Sequence, residues 1–419
     1  MTRSPAEDSP FHPLRPGGAL ALVGIVLFAF SLRSAVASLS PLVALISRDF
    51  ALPAPLLGLI GTAPPVCFAV FGLLAPRFER RFGLERVAVA AIAVVAVGLV
   101  SRGFAADSLT LLAATALVFA GVGVGNILLP PLVKKYFPRR VGLMTTVYTT
   151  TMAVATFTPP LVAVPFADVA GWRVSLGAWA LFAVVATVPW VLMLTRAPRG
   201  PQRAQDVGGE DAAPTPRLFA RLWRLPLAWA LAVAFAVSSI LAYTSFGWLP
   251  TILIDTAGVT PQMAGALLSL FAVMGLPASL AVPLLVARLR AERVLVVVAV
   301  GAGLTGLLGL LFVPAAAPVV WVALLGVAPL LFPMILVLLG LRTRSHETAV
   351  ALSGFVQSVG YAIAAVFPFA IGLLHDVTGA WTAPLWVLVG VVLAAIPAGY
   401  VITRARTIEE DWERRHGPW

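Results

Sequence analysis

One charge stands where membrane-spanning sequence rarely tolerates one. Gly17 to Ile46 is a thirty-residue stretch whose single charge is Arg33, within Ser31-Leu32-Arg33. About twenty apolar residues cross a bilayer. An arginine near the middle of such a helix costs about 2.5–3.5 kcal/mol on insertion scales. Fifteen residues separate Arg33 from Arg48, about 22 Å of helix, so the guanidinium does not easily snorkel to an interface. All 18 Asp and Glu fall in tails, loops or the ends of apolar runs, which leaves Arg33 without an obvious permanent counter-ion. A buried guanidinium wants an anion or a ring of carbonyls. The chemistry on offer is recognition of a small anionic or electron-rich polar solute. The structural alternative is a bond to backbone carbonyls or to Asn126.

Other polar side chains interrupt apolar runs. Asn126 closes the ladder Gly121-x-Gly123-x-Gly125. The glycines permit close helix approach, and the amide either orients a polar ligand or makes an interhelical bond of about 0.6 kcal/mol. Tyr148 sits among Thr145, Thr146, Thr149, Thr150 and Thr151. Gln357 and Tyr361 are four apart, hence on one helix face. Tyr243 and Trp248 are aromatic candidates, with an interfacial belt as the alternative for Trp248. Nothing catalytic appears: no His-Glu-x-x-His, no phosphate-binding glycine loop with lysine, no paired intramembrane carboxylates. The four histidines are terminal or at loops, and Cys67 is the only cysteine. The expectation is a protein that is not an enzyme, with no cofactor and no metal site.

The elements that position these residues follow from composition. The chain is 60% hydrophobic and 11% charged, against about 25% charged in soluble proteins. Apolar runs lie at about 17–46, 54–75, 87–106, 108–133, 141–165 and 174–195, then at 225–252, 261–287, 294–313, 317–341, 349–374 and 380–403. They are too long for barrel strands and read as helices, since a chain in lipid must satisfy its own backbone. The expected fold is an all-α polytopic membrane protein with twelve transmembrane helices. Its parts are a tail at 1–16, a six-helix bundle at 17–195, a basic linker at 196–224, a second bundle at 225–403 and a tail at 404–419. The first run continues past Ala35-Val36-Ala37, so it reads as a span and not as a cleaved leader, whose apolar core is roughly 7–15 residues. Pro130-Pro131 predicts a break or kink at the end of span 4.

Charge placement orients the bundle. With the tails, the linker and every second loop on one side, that side holds 25 of the 29 Lys and Arg. The other side holds Arg48, Arg102 and Arg173. This asymmetry places both termini in the cytoplasm. It also accounts for the net charge of +11 without invoking nucleic acid.

The halves echo each other. Leu84-Glu85-Arg86-Val87 opens span 3, and Ala291-Glu292-Arg293-Val294 opens span 9, 207 positions later. Pro159 and Pro368 are 209 apart, as are Tyr148 and Gln357. A duplicated six-helix unit places its substrate site between the halves, near the midplane.

This organisation resembles the major facilitator superfamily, whose loop 2–3 motif is matched in spacing by Gly72, Arg77, Arg80 and Arg81. Pro76 stands at the motif's aspartate and Glu79 at its second glycine, so its usual capping and charge-relay role does not carry over intact. The three arginines read equally as plain positive-inside anchors. A narrower set resembles the cyanate permease and 2-nitroimidazole exporter branch. It comprises Leu32-Arg33 with Pro41-Leu42, Leu74-Ala75-Pro76 with Arg80-Arg81-Phe82-Gly83, and Gly121 to Pro130. Trp248-Leu249-Pro250 and Gln357-Ser358-x-Gly360-Tyr361 complete it.

The resemblance implies a secondary or facilitative transporter of the bacterial inner membrane, working by alternating access and as a monomer, with the lipid bilayer and a small-molecule substrate as its partners. The implied substrate is small and polar, anionic or nitro-bearing. Efflux of larger lipophilic drugs is the runner-up, and a non-transporting receptor the outside class. Proton coupling would have to use Asp255, His375, Asp376 or the substrate itself; exchange and facilitated passage fit equally.

Overall fold

The computed structural model describes residues 18–138, 140–196, 216–404, 407–417 and 419. The tail at 1–16 and most of the 196–224 linker lie outside them. Among the described residues, twelve segments are long and apolar enough to cross a membrane. The first is α1 (Gly18–Ala37), a 3-10 turn (Ser40–Leu42) and α2 (Val43–Ile46). The next four are single helices: α3 (Ala54–Phe82), α4 (Leu84–Gly103), α5 (Ser108–Tyr136) and α6 (Val141–Ala170). The sixth is α7 (Trp172–Gly177) with α8 (Ala180–Arg196). A short α9 (Pro216–Leu222) leads into α10 (Pro226–Ala257), α11 (Pro261–Leu289) and α12 (Glu292–Phe312). Then come α13 (Pro318–Val327) with α14 (Leu331–Leu341), α15 (His346–Thr378), α16 (Thr382–Arg404) and a terminal α17 (Ile408–His416).

Local chemistry sets the ends. Asp107 caps α5 by accepting the Thr110 amide at 2.8 Å, while Thr110 Oγ1 accepts the Asp107 amide at 3.1 Å. Each of α10, α11 and α13 begins with proline, whose fixed φ and missing N–H suit a first turn. The first span is not continuous. Pro41 cannot donate to the carbonyl of Ala37 and crowds it, so α1 ends there and the chain resumes as the 3-10 turn.

The duplication extends to side-chain pairing. In the first half the Glu85 carboxylate pairs with Lys135 at 2.5 Å; in the second, Glu292 pairs with Arg342 at 3.3 Å. Both partners are displaced by 207 positions. The Trp172 indole donates to Asp49 at 2.9 Å, and the Trp381 indole donates to Asp255 at 2.9 Å. These pairs tie corresponding helix ends at opposite faces of the bundle, the first two at the basic face and the last two at the far face.

The halves meet across α3–α15 and α6–α11. Gly58 lies against Phe369, and Gly265 against the Pro160 carbonyl. Ser269 Oγ donates to the Phe157 carbonyl at 2.7 Å, Ser40 Oγ to the Gly247 carbonyl at 3.3 Å, and Gln262 Nε2 to Asp168 at 2.9 Å. All of these contacts lie in the half of the bundle away from the basic loops.

One expectation needs correction. Pro130-Pro131 neither ends nor breaks the helix, which continues to Tyr136; two ladder bonds are lost, but proline's φ is already helical, and bundles tolerate such gaps. Arg102, counted with the far-side charges, lies in the last turn of α4 with no exposed surface. In the C-terminal tail, α17 folds onto the basic face, where Arg344 pairs with Glu413 at 2.9 Å and Arg221 lies over the Trp412 and Trp419 rings.

Candidate functional site

Arg33 sits on α1 five residues before the break, half-buried. Tyr243 on α10 and Tyr361 on α15, whose side chains share a hydrogen bond, lie within electrostatic reach of its charge. The two phenol rings are 6.3 Å apart. Thus three of the expected site residues, from both halves, come together. Among the described residues Arg33 forms no ion pair. A guanidinium beside two phenols and no carboxylate can hold an anion by charge and by O–H donation together.

An aromatic chain extends from this point across the interface. Phe235 packs on Tyr361 at 4.9 Å between ring centres, Tyr243 on Phe68 at 6.4 Å, and Phe68 on Phe119 at 6.2 Å. The Arg102 guanidinium lies 5.2 Å from the Phe119 ring centre. Of these residues Tyr243, Phe119 and Arg102 wall a small cavity of about 30 Å³, lined also by Ser40, Gly61 and Gly247 among others. Sequence reasoning missed Arg102 and Phe119. The signal was present: Arg102 is flanked by Val87–Val100 and by Gly103-Phe104-Ala105, so it ends an apolar run and does not begin a loop.

The other expected residues are placed less tightly. Asn126 is half-buried on α5, and its Oδ1 is buried without a partner. Gln357 Nε2 donates to Ser353 Oγ at 2.7 Å, along its own helix. Tyr148 packs against the first-half core. Among the described residues no hydrogen bond joins Asn126, Tyr148 or Gln357 to Arg33. Trp248 does not belong to an interfacial belt: it is 2% exposed, and its indole donates to the Pro368 carbonyl on α15 at 2.9 Å. Of the loop motif, Arg77 and Arg81 are exposed, and Arg81 lies 5.2 Å from the Phe82 ring centre. Of Gly72 and Arg80 only the helical backbone is described.

A second cavity of about 290 Å³ opens between the halves at the far face and is lined by Ser40, Trp248, Asp255 and His375 among others. The His375 ring stacks on Trp381 with centres 3.9 Å apart, and Trp381 in turn donates to Asp255. Two of the groups named for proton coupling therefore share one vestibule.

The profile of the Major Facilitator Superfamily matches residues 22–365. The chain is 31% identical over 402 residues to the uncharacterized transporter YycB of Bacillus subtilis (strain 168), covering 94% of this chain and 96% of that one. It is 33% identical over 367 residues to the 2-nitroimidazole transporter of Escherichia coli (strain K12), covering 87% and 90%. It is 25% identical over 368 residues to the cyanate transport protein CynX of the same organism, covering 85% and 90%. Among solved structures, a bacterial homologue of the human lysosomal transporter Spinster, inward-facing and occupied, superposes with a TM-score of 0.74 at 14% identity, over 93% of this chain and 97% of that chain. With the profile spanning most of its length, and such relatives across nearly all of it, the chain belongs to the Major Facilitator Superfamily, in the branch that holds the 2-nitroimidazole and cyanate transporters.

Proposed function

We propose that this transporter carries a small polar solute, anionic or nitro-bearing, and that Arg33 is its central contact. The carrying observation is the Arg33 guanidinium, free of any described carboxylate, beside the hydrogen-bonded pair Tyr243 and Tyr361. A permanent counter-ion would neutralise the site; its absence among the described residues leaves the solute to supply the charge. Relatives named for 2-nitroimidazole and cyanate transport agree in solute size and polarity.

Translocation follows from the two-bundle geometry. Residues 17–195 and 225–403 rock as units about the site, and the seam at Gly58, Gly265 and Ser40 parts when the far face opens. The basic face is cytoplasmic, with both termini there, in a bacterial inner membrane, and one chain suffices. Asn126, Tyr148 and Gln357 line the path at the basic side of Arg33.

Efflux of larger lipophilic compounds is the second reading, favoured by the aromatic chain from Phe235 to Phe119. Counterflow in proteoliposomes separates the two, using a panel of small anions, nitroheterocycles and lipophilic cations. Exchange of a small anion or nitroheterocycle supports the proposal. Exchange of lipophilic cations alone removes it.

A further inference from the structure

Arg102 has no exposed surface, yet its guanidinium is only partly satisfied. Nε donates to Thr115 Oγ1 at 3.1 Å and Nη1 to the Ala35 carbonyl at 2.8 Å. Nη2 is buried with no partner. The Ala35 carbonyl lies just before the break in the first span, so one arm of the guanidinium caps a helix end. The second arm is free, and the side chain lines the 30 Å³ cavity between the halves.

No described carboxylate answers this charge. The buried acidic residues are Glu85, Glu409 and Asp411. All three are occupied at the basic face: Glu85 by Lys135 and Tyr136, Glu409 by the Arg344 amide, and Asp411 by Arg415. A lone cation with neutral partners stays costly in a dry interior, since two neutral hydrogen bonds do not replace its hydration. Ser40 and Tyr243, both hydroxyl-bearing, line the same cavity.

We propose that the Arg102 cavity is a subsite for a small monovalent anion of two to four heavy atoms, distinct from the Arg33 position and on the far side of Tyr243. Its volume takes two or so water-sized groups, which admits a linear or planar anion and excludes an aromatic ring. The inference deepens the anion-transport reading: Tyr243 touches both positions, so an anion passes from one guanidinium to the next while the seam at Ser40 and Gly247 is still closed.

Equilibrium dialysis of the purified full chain with radiolabelled thiocyanate tests this. In Arg33→Gln protein one saturable site is expected to remain, and adding Arg102→Gln is expected to weaken it at least tenfold. Arg102→Lys, which keeps the charge but not the fork, is expected to fall between. Binding unchanged by Arg102→Gln would overturn the proposal, and so would its complete loss in Arg33→Gln alone. Should Arg102→Gln not fold, wild-type crystals soaked in selenocyanate decide: an anomalous peak beside the guanidinium supports the site, and an empty cavity refutes it. Thiocyanate bound at Arg102 without counterflow would retain this site and reject the transport reading. Counterflow without such binding would do the reverse.

Discussion

Adding a single carbon at position 58 is expected to hold the far face of the transporter open. A Cβ there would lie 2.7 Å from Phe369 Cα and 2.9 Å from the Pro368 carbonyl, whereas ordinary carbon contacts are about 3.5–4.0 Å. Both obstacles are backbone, so α3 and α15 must separate by about 1 Å or bend. Overpacking of this kind costs about 1–3 kcal/mol. The clash is between halves, so only the state closed at the far face bears it. The equilibrium then shifts towards the open state by roughly 5- to 150-fold. Ser40 reports the shift: it is 6% exposed and bonded to Gly247 across the seam. Ser40→Cys in a Cys67→Ala background is labelled with a membrane-impermeant maleimide applied to the far side. Adding Gly58→Ala is expected to raise the initial labelling rate several-fold. Gly390→Ala, whose Cβ would meet nothing within 4 Å, is the control and leaves the rate unchanged. Equal labelling in the Gly58 and Gly390 variants would refute a moving seam at α3–α15.

Three other predictions concern stability. Glu85→Gln removes the carboxylate that holds Lys135 and the Tyr136 hydroxyl, at a cost of about 1–3 kcal/mol, read as a lower melting temperature in detergent; adding Glu292→Gln gives a further, additive loss, because the two pairs share no partner. The Asp49 carboxyl is held below the usual carboxylate range, first by the Trp172 indole and then by Arg173. Its folded pKa is the lower one, so its contribution is complete above about pH 4 and is lost as the pH falls through the depressed value; Asp49→Asn is expected to flatten the melting profile below about pH 4. Arg290 is the single described non-glycine residue with positive φ, at 48°, in the left-handed region that costs roughly 1–2 kcal/mol for a residue with Cβ; Arg290→Gly is expected to raise the melting temperature.

The twelve spans were legible because lipid leaves a chain few options, and run length with charge asymmetry reports them directly. The duplication was legible in Glu85 and Glu292, but their partners were not: Lys135 and Arg342 read as anonymous basic-loop charges until the helices brought them across. At the candidate site, Arg33 stood out as the single charge in thirty residues, and Tyr243 and Tyr361 were singled out by type. Arg102 escaped because it was counted only as a far-side charge at the end of its run. Only the fold shows that α1 ends beside it and that its guanidinium bonds the Ala35 carbonyl. For Trp248 the interfacial alternative fails, because the indole is buried and donates to the Pro368 carbonyl on α15.

The most direct test of the central claim compares wild-type, Arg33→Lys and Arg33→Gln proteins in counterflow of a small anion, each eluting as a folded monodisperse species. The account predicts full exchange in the first, a raised KM in the second and no exchange in the third. Equal exchange by all three would show that Arg33 is structural and would contradict the assignment of the site.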